Sequence, residues 1–285
     1  MTGPVRRRRS PGVEILPEAE LKTMRRAGLV VAQGLAAMTA AARPGVTTRE
    51  IDAIGADCLK SAGATSNFLG YQPGYGVPPY PAVSCQSVND TVVHGIPGDY
   101  ILRDGDLLSI DFGAIVDGHH GDAARSVLVG QADPVVERLA QVCQQATWAG
   151  IGAARLGGTI ARITQAIERS VRRAGPYGIV REYTGHGIGH AMHQPPDIPN
   201  AGQPRDNVVI QAGLCLAIEP MVTLGSARVD VADDDWSVVT HDRSIAAHWE
   251  NTITVTKTGC WVLTEPDGGE AMLGRLGLKY GPLAD

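Results

Sequence analysis

Two aspartates, Asp111 and Asp122, form the first pair in this chain whose type and spacing could do chemistry. Asp111 lies in LLSIDFGAIV and Asp122 opens DAARSVLV, with the hairpin-turn signal Asp117-Gly118 between them. Strand alternation turns Leu108, Ile110 and Phe112 one way and Ser109, Asp111 and Gly113 the other. A two-residue turn pairs Asp111 with Ala124 and Gly113 with Asp122. The two carboxylates then become diagonal neighbours on one face, roughly 7–8 Å apart at the backbone. A longer turn would change that register without preventing convergence. Either aspartate alone reads more simply as a solvent-facing strand residue; as a pair they can grip a cation.

Three further segments supply matching donors. TGHGIGHAMHQPP (184–196) carries His186, His190 and His193 in a glycine-rich run that lets the backbone approach a ligand closely. A neutral histidine can bind a metal while another donates or shuttles a proton. Glu219 sits in the apolar run GLCLAIEPMVTLG, where a carboxylate is costly unless paired or metal-bound; no Lys or Arg follows until Arg228. Glu250 lies in AAHWENTITVTKTG, sharing a strand face with Thr252, opposite Trp249, Asn251 and Ile253. Two Asp, two Glu and one His make an oxygen-rich set suited to a pair of divalent cations such as Mn²⁺, Fe²⁺, Co²⁺ or Zn²⁺. Ions roughly 3.5–4 Å apart need bridging carboxylates and an activated water that can attack a peptide carbonyl. G-x-S-x-G, HExxH and a reactive-cysteine context are all missing, so competing hydrolase chemistries lack support.

The elements that must position these groups can be read in outline. From Pro17 an apolar stripe (Leu21, Met24, Leu29, Val30, Leu35, Met38) predicts a helix that Pro44-Gly45 ends. Thr47, with Glu50 three residues on, predicts a capped second helix closed by Gly63. Residues 66–90 read as a long Gly/Pro/Tyr/Ser-rich loop. Strands follow at 107–116 and 122–129, helices at about 134–154 and 159–174, and strands at 179–183, 214–224, 236–240 and 245–256. A shift of 112 positions aligns 42–63 with 154–175 without a gap: Arg43 meets Arg155, Gly45 meets Gly157, Thr47 meets Thr159 and Gly63 meets Gly175. A duplicated helix–turn–helix unit implies two similar halves of one α/β fold, with a natural site in the cleft between them.

Composition excludes several classes. At 285 residues the chain can bury a full core, and 44% hydrophobic with 19% charged residues is ordinary for a globular protein. A net charge of −5 argues against a nucleic-acid binder. Five scattered cysteines without a CxxC exclude a disulfide framework or zinc knuckle and fit a reducing compartment, the cytoplasm. No apolar run is long enough to span a bilayer. Residues 1–13 read as a flexible basic tail; Arg6 to Arg9 fit a solvated segment best and a foothold on ribosomal RNA second.

In order, VVHGIP (92–97), SIDFG (109–113), HGDAARS (120–126), GHGIG (185–189), MHQPP (192–196), IEPM (218–221) and WENT (249–252) resemble the type I methionine aminopeptidases. The likeness runs from about Glu18 to Thr264. It implies the pita-bread fold, a mixed α/β (α+β) architecture. Two pseudo-symmetric halves of curved antiparallel sheet, covered by helices, surround a dinuclear metal cleft. It places a single domain over 14–265, with 266–285 a weakly structured end. By resemblance, Asp111, Asp122, His186, Glu219 and Glu250 are the metal ligands, Asp122 and Glu250 bridging two divalent ions. His94 and His193 contact the substrate, and Glu219 shuttles protons. Tyr71, Tyr80, Cys85, Met192 and Trp236 build the methionine pocket. The implied reaction is removal of the initiator methionine from nascent polypeptides when the second residue is small, by a cytoplasmic monomer. Prolidase-like peptidases share the ligand set but usually carry Glu where this chain has Gln194, and VVHGIP favours the methionine enzymes. Phe68, Gln194, Asn251 and the extended stretch between Tyr71 and Tyr80 depart from the family pattern; they leave all five ligands in place and bear on rate or substrate range.

Overall fold

Thr47 starts a helix because its hydroxyl accepts a hydrogen bond from the Glu50 amide while the Glu50 carboxylate accepts one from the Thr47 amide at 2.7 Å. In the computed structural model, which describes residues 12–74 and 76–284, this helix, α2 (Thr48–Ala62), follows α1 (Glu18–Ala41). It stops at Gly63, whose φ of 63° lies in the left-handed region that glycine adopts without strain. The second half repeats the pair as α3 (Pro134–Ala153) and α4 (Ile160–Ala174), and both ends of α4 stand 112 positions after those of α2. The backbone entries also match: isolated bridges join Thr47 to Ile101 and Thr159 to Val209. The cap chemistry does not, since the Thr159 side chain makes no capping bond.

Each helix pair covers one sheet. In the first half the strand Leu107–Val116 pairs antiparallel with His119–Leu128 around the Asp117-Gly118 turn; Asp111 faces Ala124 and Gly113 faces Asp122, the expected register. Its other edge takes Ser84–Val88 and Thr65–Ser66. Leu108, Ile110 and Phe112 point to the helix side and pack with Leu35, Met38, Ile51 and Leu59. Helix and sheet approach so closely that a Cβ at Gly34 would sit 2.3 Å from the Phe112 ring. In the second half five strands run in the order Cys260–Val262, Asn251–Val255, Cys215–Ile218, Gly185–Gly187 and Gln194–Ile198. Leu216, Ile218 and Ile253 bury against Leu139, Cys143, Ile163 and Ile167 of α3 and α4.

The halves are stitched at a seam of strand ends. The Asp122 amide donates to Thr252 Oγ1 at 3.1 Å, and that hydroxyl donates to the Asp122 carbonyl at 2.8 Å. The Glu250 amide donates to the Ala124 carbonyl at 3.0 Å. Arg125 lies over the Trp249 ring, 4.9 Å from its centroid, and donates to the Glu250 carbonyl, Asn251 Oδ1 and Glu265 Oε1. Backbone hydrogen bonds thus fix the two halves face to face exactly where the acidic residues lie.

Some elements differ from the sequence-based expectation. The strand Ser84–Val88 lies inside the expected loop; it is mostly buried on both faces, so it lacks the alternation that marks a half-exposed strand. The expected strand over 245–256 is two, Ala246–His248 and Asn251–Val255, broken at Trp249-Glu250. The C-terminal stretch, expected to be weakly structured, carries α5 (Glu270–Arg275), with Leu273 fully buried and Tyr280 bridged to Cys260. Its order comes from pairing with a distant strand, which no local pattern reveals. Of the expected tail, only Gly12 and Val13 belong to the described residues, and Val13 packs on the second-half core; Arg6 to Arg9 lie outside them.

Candidate metal centre and substrate cleft

A cavity of 420 Å³ opens at the seam, and every residue that the family resemblance assigned to ligation, catalysis or the pocket lines it, while His190 of the glycine-rich run lies outside it. The hairpin delivers Asp111 and Asp122. His186 arrives on Gly185–Gly187, opposite Ala217, and Glu219 immediately follows the strand that ends at Ile218. Glu250 occupies the break before Asn251. Donor atoms of Asp122, His186 and Glu250 lie within 4.8 Å of one another, as do those of Glu219, His248 and Glu250. Glu250 belongs to both groups, and Asp111 stands beside them on the cavity wall.

Four carboxylates in one buried place are electrostatically unfavourable. Burial, then the charges of Asp122 and Glu219, push the Asp111 carboxyl well above its ordinary range. Burial, then Asp122, Glu219 and Asp111, do the same to Glu250. Asp122 rises to about 7, again chiefly by burial, with His186 opposing. Asp111 Oδ1, Asp122 Oδ1 and Glu250 Oε1 are buried without a hydrogen-bond partner. Orphaned, crowded carboxylate oxygens with one imidazole are a donor set that divalent cations satisfy.

Glu219 is the exception. Burial would raise its pKa, but the imidazoles of His186 and His248, at 3.3 and 3.4 Å, outweigh that and hold it down to about 2. Its partners are therefore imidazoles, and Arg228 plays no part. Burial lowers both His94 and His193 to about 4, so each is neutral at pH 7. His94 has a φ of 60°, unusual for a residue with a side chain, and its ring packs edge-on against Tyr183 and Trp236. His193 Nδ1 is 2.8 Å from the Tyr71 hydroxyl, and its ring stands edge-on to His186.

The outer wall is apolar. Phe68, Tyr80, Cys85, Met192 and Trp236 form one buried cluster, with Tyr71 and Val77 against it. The polar handles are turned out of the way: the Tyr80 hydroxyl donates to the Gly95 carbonyl at 2.9 Å, and Trp236 Nε1 to the Pro78 carbonyl at 2.9 Å. Burial pushes the Cys85 thiol up, so it stays neutral. The extended loop between Tyr71 and Tyr80 closes on itself through the Tyr80 amide and Tyr71 carbonyl, 2.9 Å apart, and Pro73 and Val77 face the cavity.

With this geometry, comparison with known proteins is decisive. Residues 22–257 match metallopeptidase family M24. Methionine aminopeptidase 1 of Mycobacterium tuberculosis is 44% identical over 262 residues, covering 89% of this chain and 96% of that protein. The chain belongs to the methionine aminopeptidases. It is thus a metal-dependent hydrolase with the pita-bread fold. The methionine aminopeptidase structure from Rickettsia prowazekii superposes with a TM-score of 0.83 at 34% identity, covering 88% of this family member and 99% of that chain. Prolidase from Pyrococcus furiosus shares the fold alone, with a TM-score of 0.69 at 20% identity over 88% of this chain and 65% of its own.

Sequence reasoning missed four residues at this site. His248 was hidden because an apolar strand gives no reason to weigh a lone histidine; its placement opposite Met221 brings it to Glu219. Tyr183 stacks on His94 from a bend before the glycine run. Thr252 and Arg125 act through the seam, and only the fold brings them to the ligand-bearing backbone. The motif HGDAARS contained Arg125, and a charge flanked by apolar strand positions was the available signal.

Proposed function

We propose that this chain removes N-terminal methionine from polypeptides whose second residue is small. The observation that carries the reading is the convergence of four carboxylates, Asp122 and Glu250 buried and Asp111 and Glu219 half-buried, with His186 at the base of an apolar cavity. In this reading Asp111, Asp122, His186, Glu219 and Glu250 would hold two divalent ions, and Mn²⁺, Fe²⁺, Co²⁺ and Zn²⁺ all suit the donors. Such ions lower the pKa of a water nucleophile and polarise the scissile carbonyl. Glu219, kept ionised by its imidazole neighbours, accepts a proton during attack and returns it to the leaving amine. Neutral His94 and His193 offer ring N–H groups to the substrate on either side of the scissile bond. Tyr71 orients His193 through Nδ1, leaving Nε2 for a substrate atom. Phe68, Tyr71, Tyr80, Cys85, Met192 and Trp236 enclose the methionine side chain, whose flexible thioether packs well on aromatic edges. The enzyme acts as a monomer in the cytoplasm on nascent chains.

Hydrolysis of Met-Gly and Xaa-Pro peptides, each with and without a chelator, tests the reading. Met-Gly cleavage that the chelator abolishes and added metal restores is expected. Equal cleavage of Xaa-Pro peptides, or chelator-resistant activity, would overturn it.

A further inference from the structure

Away from the cleft, a second group of donors converges on the surface. Glu20 comes from the first turn of α1, His119 from the start of the strand His119–Leu128, and His190 from the loop between His186 and His193. One donor atom from each lies within 4.8 Å of the others. None of the three lines the cavity of the proposed reaction.

The hydrogen bonds around the two imidazoles decide what the cluster can hold. His119 Nδ1 is 3.0 Å from the Asp117 carbonyl, which can only accept, so Nδ1 carries the proton. His190 Nδ1 is 2.7 Å from Glu14 Oε1 and donates to it in the same way. Glu14 is itself fixed, since its other oxygen accepts from the His190 amide at 3.1 Å and from Gln194 Nε2 at 2.9 Å. In the neutral rings Nε2 is then left as an acceptor on both. Both Nε2 atoms point at one oxygen, Glu20 Oε2, at 3.5 and 3.7 Å. Three acceptors converging on one another repel unless a positive charge lies between them, either a bound cation or a proton on His190, which Glu14 and Glu20 favour. A histidine tied through Nδ1 to a carbonyl or carboxylate, with Nε2 presented inward, is the arrangement that orients imidazole for a metal. The separations fit as well: bonds of about 2.0–2.1 Å around a tetrahedral ion place neighbouring donors about 3.3 Å apart. The His119 side chain is only 9% exposed, so its Nε2 is held towards the cluster, while His190 at 50% leaves an entry path.

We propose that Glu20, His119 and His190 form a peripheral site for one late first-row divalent cation of the Zn²⁺ type. Two imidazoles and one carboxylate select against Mg²⁺ and Ca²⁺, which take oxygen donors. Water fills the remaining position. A bound ion ties the start of α1 and the hairpin end to the loop between His186 and His193, and so stiffens one rim of the cleft.

The test uses the full chain with the cleft disabled, Asp122→Asn/Glu219→Gln, titrated with ZnCl₂ by calorimetry. About one Zn²⁺ per chain is expected, with a rise in the thermal midpoint that chelator reverses. Adding His190→Ala should abolish the shift and weaken that binding by more than the ~10–100-fold that losing a partner of a metal-bound histidine costs, since it removes a ligand outright. Because His190 is half exposed, this change leaves the fold intact; Glu20→Gln provides an independent second variant. No Zn²⁺ binding by the cleft-disabled chain, or binding unchanged by both substitutions, would overturn the proposal and leave ordinary histidine–carboxylate ion pairs in its place.

Discussion

Replacing Asp122 by Asn should make the metal-free protein more stable while destroying its capacity to bind metal in the cleft. Asp122 ordinarily titrates at 3.8 and is raised to about 7 in the fold. The folded state therefore binds more protons than the unfolded state between those values. Stability is lost as pH rises through that window, and the full cost is present above pH 7. A shift of about three units at 1.36 kcal/mol each amounts to about 4 kcal/mol. Asn abolishes that charge at nearly constant shape and relieves Asp111 and Glu250, whose protons it helps retain. Weakened hydrogen bonds from Asn67 and the Ala123 amide offset part of the gain. A net stabilisation of about 2–4 kcal/mol at pH 8 is expected, growing from about pH 4 to pH 7 and then level. Urea unfolding of parent and variant in EDTA, at a series of pH values, measures it. With metal restored the order should invert, since only the parent gains from binding in the cleft. A variant less stable than the parent at pH 8 in EDTA, or a gap that shrinks as pH rises, would refute the claim that cation-free carboxylates crowd this cleft.

Other outcomes follow from single contacts. His94→Ala should leave metal content near normal and lower kcat by roughly 10²–10⁴-fold, as loss of a positioned substrate contact does; loss of metal would make His94 a ligand instead. His248→Ala should lower kcat by removing an imidazole from Glu219, and His248→Gln, which keeps a donor, should recover part of it; equal defects in both would separate His248 from Glu219. Gly34→Ala should cost about 1–3 kcal/mol in chemical denaturation with activity per folded molecule unchanged, because the new Cβ would press on Phe112. Replacing residues 72–79 by His-Gly should change the ratio of kcat/KM between Met-Gly and Met-Ala substrates, since Pro73 and Val77 face the cavity; kinetics identical to the parent would make the loop a surface bulge.

Where local chemistry sufficed, the sequence was legible. The Asp117-Gly118 turn implied the register that sets Asp111 opposite Ala124, and Thr47 with Glu50 marked the start of α2. The 112-residue offset held for both ends of α2 and α4. What could not be read depends on partners far along the chain. Ser84–Val88 is a strand because an edge of Leu107–Val116 needs pairing, and α5 is ordered because Tyr280 returns to Cys260. Glu219 looked unpaired because its neighbours, His186 and His248, arrive from two other strands. The ligand roles came from ordered motifs; their convergence required a fold that periodicity alone does not specify.

The seam between the halves makes the site a logical AND. Asp111 and Asp122 come from one half, and His186, Glu219 and Glu250 from the other, joined through Thr252 and Asp122. Neither half carries all five proposed ligands, so a chain whose first half alone has emerged and folded is expected to be inert. On the proposed ligand set, hydrolytic capacity requires both halves to have closed, and a metal-loaded cleft would thereby be a certificate of completed assembly.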